Sequence, residues 1–350
     1  MSDSTASLRR KIGGAGDLQS VVRTMKAVAA SSIGQYERSV SALADYYRAV
    51  ELGLGACFRE SALTLAIPER KEQRDAGTIG AVVFGSDQGL VGQFNEVVAD
   101  YAVKTLAALS GKAEVWAVGE RVHERLTDAG LPPIGLFTVP NSVKAITPLV
   151  GQIQIESEAR WAKGEYTRLY VFHNRPRSGA IYEPVSQRLL PFDALWQQGL
   201  AKVRWPTGNL PEIMCGGTAT LRALIREYLF ISLFRACAES LASENASRLA
   251  AMQRAEKNID ELLEDLNRTF HRLRQSGIDE ELFDVISGFE ALSEKEKASS
   301  TARKPADFTP WIATRAYELY QEGGHRDGKA DQDWLEAERE TRNPPLPLKQ

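Results

Sequence analysis

Few residues in this chain have the type and spacing to do chemistry. The stretch Gly85-Ser-Asp-Gln-Gly-Leu-Val-Gly92 follows a strand pattern and precedes a helical one, which is where α/β proteins bind phosphates. Its spacing fits neither known device: G-x-G-x-x-G needs glycines at steps of two and three, and a Walker loop needs Gly-Lys-Ser/Thr behind it. Ser86 and Asp87 sit in no G-x-S-x-G elbow, and no His-Glu-x-x-His occurs. The four histidines, His123, His173, His271 and His325, share no metal-ligand spacing and read as surface or core residues with ordinary partners. Cys57, Cys215 and Cys237 are too scattered for a zinc site and too few for a disulfide framework; they read as small buried apolar residues in a reducing compartment. Acidic groups such as Asp279-Glu-Glu281, or Glu294 with Glu296, read as solvated helix faces. No catalytic residue, cofactor or metal is expected.

The elements that carry these residues are of two kinds. From Thr218 to Ser276 there is no Pro and, before Ser276, no Gly. Leu221, Leu224, Tyr228, Ile231, Ala238, Leu241, Asn245, Met252, Ala255, Ile259, Leu262, Leu266 and Leu273 recur there mostly at steps of three and four. That is one continuous helix with a seam, roughly 90 Å long at about 1.5 Å per residue. A helix of that length outruns its own domain and needs another helix to cover its stripe. Leu18, Val22, Met25, Ala29, Ser32 and Tyr36, then Val40, Leu43, Tyr47, Val50 and Leu54 after a one-residue shift, supply that partner from about Asp17 to about Glu60. Gly13, Gly14 and Gly16 weaken the turns before it, at roughly 1 kcal/mol each against Ala. The stretch from Leu8 to Gly16 is therefore either a separate turn or a helix held by its surroundings.

Between the long helices the texture changes to short apolar runs bounded by Gly and Pro. Ile79–Phe84, Glu114–Val118 and Arg168–Phe172 read as buried strands, separated by helices near Asn95–Leu109, Gly119–Ala129 and Ser142–Lys163. This is an α/β, Rossmann-like layer with a largely parallel sheet. Tyr182–Leu189 adds an antiparallel edge strand after a turn, and Pro191–Pro211 reads as a link to the long helix. After Leu292 the chain turns into a polar, flexible linker, Ser293–Lys304. A small helical hairpin follows, with helices at Pro310–Gln321 and Asp331–Arg342 and a very small core from Trp311, Tyr317, Tyr320, Trp334 and Leu335. The expected division is residues 1–62 for the first coiled-coil helix, 76–210 for the α/β domain, 211–292 for the second helix, 293–308 for the linker and 309–343 for the hairpin.

With 350 residues, 43% hydrophobic and 25% charged, and a formal net charge of -3, the chain gives no bulk electrostatic case for nucleic acid or an anionic membrane. Met1–Leu8 is polar, and no apolar run of 18 residues occurs, so neither a signal peptide nor a membrane span is expected.

Five segments carry a resemblance. Leu8-Arg-Arg-Lys-Ile12, Thr24-Met-Lys-Ala-Val-Ala-Ala-Ser31, Gly85-Ser-Asp-Gln-Gly-Leu-Val-Gly-Gln-Phe-Asn95, Ser243-Glu-Asn-Ala-Ser-Arg-Leu-Ala-Ala-Met252, and Arg274-Gln-Ser-Gly-Ile-Asp-Glu-Glu-Leu282 with Ile286-Ser-Gly288 closely resemble the gamma subunit of F-type ATP synthases. They run in order over residues 8 to about 292. The loop, from which the resemblance singles out Ser86, Asp87, Gly89, Gly92 and Asn95, carries Gln88 and Val91 where the family usually has Arg and Cys, and Asp279 replaces a usual Thr. These departures are similar to those of a divergent second ATPase found in some bacteria and archaea, and leave proton and sodium both open as the coupled ion. Arg315-Ala-Tyr-Glu-Leu-Tyr320 and Asp333-Trp-Leu-Glu-Ala-Glu338 resemble a short bacterial domain of unknown function.

The resemblance implies a non-catalytic central-stalk rotor: an antiparallel coiled coil inside a ring of alpha and beta subunits, an inserted α/β domain on the membrane c-ring, and an epsilon subunit beside it. Membrane contact would come only through that complex, on the cytoplasmic face of a bacterial inner membrane. By position, Met25, Lys26, Arg248 and Gln275 match residues that in the family face the ring; read from the residues alone, Met25 is a seam residue and the other three are solvated. Two other readings stand beside it: a coiled-coil interaction scaffold no longer part of a working ATPase, and a nucleotide-binding enzyme built on the α/β layer.

Overall fold

The structure is a computed structural model describing residues 4–59, 77–209, 211–212, 217–299, 309–322 and 330–342; of the side chains at 291–299 and 341–342 nothing is said. It divides into two compact units, Met1–Arg272 and Leu273–Gln350. Cys215, the turn at 323–328 and the tail beyond 343 lie outside the described residues.

The first helix, α1, runs Thr5–Ala42. Ser4 caps it, its hydroxyl accepting from the Ser7 N–H at 3.2 Å. Its buried residues are Leu8, Ala15, Val22, Ala29 and Tyr36, a strict seven-residue repeat that keeps one seam against a partner helix. The helix therefore runs unbroken through Gly13, Gly14 and Gly16, because buried Leu8 and Ala15 hold the turn on either side. Of the two readings left open for Leu8–Gly16, the helix held by its surroundings is the one found, so α1 starts at Thr5, ahead of Asp17; Leu18, expected in the seam, is 54% exposed. A one-residue irregularity follows at Leu43, where α1 is capped; α2 runs Ala44–Arg59, with the Tyr47 N–H donating to the Leu43 carbonyl at 2.8 Å.

Strands β1 (Ile79–Phe84), β2 (Ala113–Val118), β3 (Gly135–Phe137), β4 (Arg168–Arg177) and β5 (Ala180–Leu190) form one sheet in the order β3-β2-β1-β4-β5. The first three interfaces are parallel and β4 pairs antiparallel with β5 at the edge. Between the strands lie α3 (Phe94–Ala107), α4 (Glu120–Asp128) and α5 (Val143–Ala162). Strand residues alternate between faces. Ile79, Ala81, Val83, Val115, Ala117 and Phe172 pack with Val98, Ala102 and Leu106 of α3 and with Val122 and Leu126 of α4. Val82, Phe84, Trp116, Val118, Leu169 and Val171 face the other way, into a core shared with α5 and the long helices.

Two elements differ from expectation. The stretch after Pro191, expected as a link, contains α6 (Ala194–Lys202), capped by the Asp193 carboxylate accepting from the Leu195 N–H at 2.9 Å. It lies so close to α2 that a Cβ on Gly55 would stand 2.5 Å from the Leu200 carbonyl oxygen. The long helix α7 runs Gly217–Ser299. The polar segment from Ser293, expected as a flexible linker, is therefore helical up to Ser299.

In the C-terminal unit, α8 (Thr309–Glu322) and α9 (Ala330–Arg342) form a hairpin. Most of the core expected there stays exposed: Trp311, Tyr317, Trp334 and Leu335 are 71%, 59%, 42% and 58% exposed, whereas Tyr320 is half-buried and Ala337 fully buried. Two helices of 14 and 13 residues enclose too little volume to bury such rings. Arg315 lies between them, bonded to Glu340 at 2.8 Å and Glu318 at 2.9 Å.

Candidate functional site: the loop-to-shaft junction

The loop after β1 spends its polar groups on the protein itself. Ser86 is fully buried. Its N–H donates to Asn95 Oδ1 at 2.9 Å, and its hydroxyl accepts from Asn95 Nδ2 at 2.8 Å and donates to the Gln88 carbonyl at 2.9 Å. Asp87 Oδ1 accepts from the Glu120 N–H at 3.0 Å and Oδ2 from the Val139 N–H at 2.9 Å. That carboxylate stands at the N-terminus of α4, where the helix dipole favours negative charge. A phosphate arriving there would meet an anion already in place, so the phosphate-cradle reading of this loop has no geometric support.

The tip of the loop turns back through Leu90 (φ 63) and Gly92 (φ +59). A Cβ on Gly92 would find ordinary room, 3.6 Å from Ser247 Oγ, so glycine is used here for its left-handed backbone and not for space. The turn carries buried Val91 onto α7, where Ser247 Oγ donates to the Val91 carbonyl at 2.5 Å. Two further bonds run beside it: Asn174 Nδ2 to the Phe94 carbonyl at 2.9 Å, and Ser243 Oγ to the Asn174 carbonyl at 3.0 Å. Tyr182 stands edge-on to Phe94 at 5.5 Å. The motif loop, β4 and the Ser243–Met252 run of α7 thus interlock. A Cβ added at Gly89 would meet nothing within 4 Å.

On the shaft, Val22 of α1 meets Met252 and Ile259 of α7, with Met25, Ala251, Ala255 and Leu263 packed around them. Gln19 bonds Asp260, and Arg23 bonds Glu256 at 3.0 Å. Four residues forward on one helix match four residues back on the other, which is antiparallel pairing. Lys26 Nζ also reaches Glu256, at 2.5 Å, and the two cations, Lys26 first, hold that carboxyl below its usual range.

Of the residues matched to a ring contact, Met25 is half-buried at the seam, Lys26 is tied to Glu256, and Arg248 Nη2 pairs with Glu244 Oε1 at 2.6 Å. Gln275 is exposed on the C-terminal stretch of α7. Met25, Lys26 and Arg248 therefore all have intrachain partners, and only Gln275 presents itself bare.

Sequence reasoning missed a run of polar residues on α7 that are buried: Ser232, Glu239, Ser240, Ser243, Glu244 and Ser247. Burial pushes the Glu244 carboxyl up against the lowering pull of Arg248. Glu239 behaves oppositely. Burial raises it, but hydrogen bonds from His173 and Arg235 more than offset that, and it ends below the usual range. The signal was available in part, since five of these six recur at steps of three or four, the spacing of a helix face.

The fold and junction define a class: a two-helix antiparallel shaft with a doubly wound α/β layer locked to its side. The family described as ATP synthase matches residues 4–292, and the chain belongs to that family. It is similar to the ATP synthase gamma chain of Dechloromonas aromatica (strain RCB), 25% identical over a match of 294 residues, gaps included, that covers 81% of this chain and 98% of that one. It shares its fold with chains in two structures of the Euglena gracilis mitochondrial ATP synthase. One is the rotor in rotational state 1, with TM-score 0.53, 16% identity and 78% of this chain covered against 98% of that one; the other is the OSCP/F1/c-ring assembly in rotational state 3, with 0.56, 16%, 86% and 99%. Residues 307–342 match a family described as a protein of unknown function (DUF2934).

Proposed function

We propose that this chain is the central-stalk rotor of an ion-translocating ATP synthase, coupling ion flow through a membrane c-ring to ATP synthesis or hydrolysis in a ring of alpha and beta subunits. The observation that carries the reading is the shared core. Val82, Phe84, Val118 and Val171 of the sheet, Tyr36 of α1, Leu54 of α2, and Leu221, Tyr228 and Leu241 of α7 belong to one buried cluster. A torque applied to the α/β domain passes to the shaft only if the two cannot swing apart, and a common close-packed core has that stiffness. The loop junction adds three hydrogen bonds at the same boundary.

The chain itself does no catalysis and holds no nucleotide in this reading. The rod works by showing different faces to three chemically identical sites, since only differential contact can bias them to different conformations. Met25, Lys26, Arg248 and Gln275 are its ring contacts, with Lys26 and Arg248 exchanging Glu256 and Glu244 for acidic partners on the ring as it turns. Epsilon binds beside the α/β domain, nucleic acid plays no part, and the complex sits peripherally on the cytoplasmic face of a bacterial inner membrane. No helix among the described residues is long and apolar enough to cross a membrane.

The test is coexpression with the alpha and beta subunits and the c-ring encoded in the same genome. Copurification with ATP hydrolysis that drives ion uptake into vesicles is expected. Failure to copurify would leave the coiled-coil scaffold as the better account.

A further inference from the structure

Away from the loop junction, a part-open cavity of about 280 Å³, with polar and apolar groups both in its lining, lies between the antiparallel sheet edge and α7. Its wall includes His173 and Arg175 of β4, Gln187 of β5, and Ser232, Arg235 and Glu239 of α7. His173 is 5% and Ser232 3% exposed. Each carries a buried polar atom, His173 Nδ1 and Ser232 Oγ, that has no hydrogen-bond partner among the described residues. Two unmet polar atoms on one cavity wall are costly unless something fills the space.

The chemistry of the wall narrows what that is. His173 Nε2 lies 2.8 Å from Glu239 Oε2, and the other oxygen of Glu239 accepts from Arg235 Nε at 2.7 Å. A carboxylate only accepts, so Nε2 carries the hydrogen and Nδ1 is left as a lone pair or, in the imidazolium, as a second donor. Arg175 is bonded to Glu183 and Arg235 to Glu239, yet a guanidinium has five N–H donors, so each keeps some to offer. Gln187 Nε2 donates to Tyr228 OH at 3.3 Å. A cation would meet two guanidinium groups here, and an apolar ligand would leave both orphaned atoms unmet. The volume lies below the roughly 300–1,000 Å³ of pockets for drug-sized ligands.

We propose that this cavity binds a small free oxyanion of the size and charge of inorganic phosphate, with His173 Nδ1 and Ser232 Oγ as inner contacts and Arg175 and Arg235 as the cationic wall. Hydrogen phosphate offers both P–O acceptors and a P–OH donor, so it satisfies Nδ1 in either protonation state and the Ser232 hydroxyl in either role. The bound ion would bridge the sheet edge and the shaft helix, tightening the same boundary as the loop junction at a second point. Anion binding at this cavity does not depend on whether the chain turns in a ring.

With only four histidines in the chain, the full chain labelled with ¹⁵N-histidine gives a readable spectrum. Titration with sodium phosphate should move one imidazole Nδ1 resonance saturably, and sodium chloride at matched ionic strength should not move it. His173→Gln should remove that resonance and, by calorimetry, the binding; Arg175→Gln, on the half-exposed rim, should weaken binding about tenfold with the circular dichroism spectrum unchanged. Ser232→Ala is the control if His173→Gln fails to fold, and it should weaken binding too. Lack of saturation across the millimolar range, an equal effect of chloride, or unchanged affinity in Arg175→Gln and Ser232→Ala would mean that the cavity holds ordered water only.

Discussion

The Ser247 hydroxyl on the long helix donates to the Val91 carbonyl at 2.5 Å, joining two residues 156 positions apart in the chain. Both residues are buried, so removing the hydroxyl leaves a carbonyl oxygen out of water without its donor. Ser247→Ala should therefore cost about 1–3 kcal/mol, the penalty of an unmet buried polar group. Urea unfolding of the full chain measures this, and hydrogen exchange should show faster opening of residues 88–92 than of β1. A loss confined to global stability, with loop exchange unchanged, would mean that this bond does not hold the loop.

A second prediction concerns the place where α4 begins. Gly119 has φ 117, and a Cβ there would lie 2.7 Å from the Ser86 carbonyl oxygen and 2.8 Å from its carbonyl carbon and nitrogen. Those are backbone atoms of a residue that is itself fully hydrogen-bonded, so neither side can give way cheaply. Gly119→Ala should cost at least the roughly 1–3 kcal/mol of a strained backbone, and thermal melting should fall by several degrees, at about 2–4 °C per kcal/mol for a domain of this size. Gly89→Ala, where nothing lies within 4 Å of an added Cβ, is the control and should melt as the parent does.

The two positions also show how far the sequence could be read. The coiled coil, the parallel sheet and the antiparallel edge follow from periodicity, because burial on one helix face or on alternate strand positions leaves a repeating mark. Leu8, Ala15, Val22, Ala29 and Tyr36 leave that mark, yet the glycines between them suppress it locally, so the first turns of α1 could not be assigned. The three-residue β3 is too short to repeat, and α6 buries only Leu200, so it leaves no repeating mark. The loop junction was legible only as a resemblance: Asp87, Val91 and Phe94 stand close together in sequence, but their partners Val139, Ser247 and Asn174 come from distant elements, and nothing local marks them. Buried Glu239 was invisible for the opposite reason, since a glutamate on a long helix looks solvated until a buried His173 and an Arg235 are folded around it.

The Cys237 thiol is 1% exposed, and burial, with a lesser push from the Glu244 charge, raises it well above its ordinary range. The thiolate is the reactive form, so Cys237 should resist iodoacetamide at pH 8 in the folded chain and react once urea unfolds it. Peptide mapping by mass spectrometry reads this site by site. Labelling of Cys237 in the folded chain at the rate of a free thiol would contradict the packing described for this part of α7.

Glu244 should make stability depend on pH in a direction set by its burial. It is 5% exposed. The charged and titratable groups around it are Arg248 and Cys237 on its own helix, Tyr36 on α1, and Asp87 in the motif loop. Burial raises its pKa, Asp87 adds to the rise, and Arg248 opposes without cancelling it. A folded pKa above the unfolded value of about 4.3 means that the folded state binds the extra proton in the window between the two. Stability from this group is then fully present below the unfolded pKa and declines as pH rises through the folded one. Glu239, whose carboxyl is held low, drives the opposite trend, with its contribution lost as pH falls through its folded pKa, so the parent curve alone cannot isolate Glu244. A comparison with Glu244→Gln can, because Gln keeps the shape, does not titrate, and leaves Glu239 untouched. Urea midpoints at pH 5 and pH 8 should show the variant gaining on the parent as pH rises. If the variant instead loses ground at pH 8, the ion pair with Arg248 outweighs the cost of burying the carboxylate, and Arg248 would be held too firmly to leave for a partner on the ring.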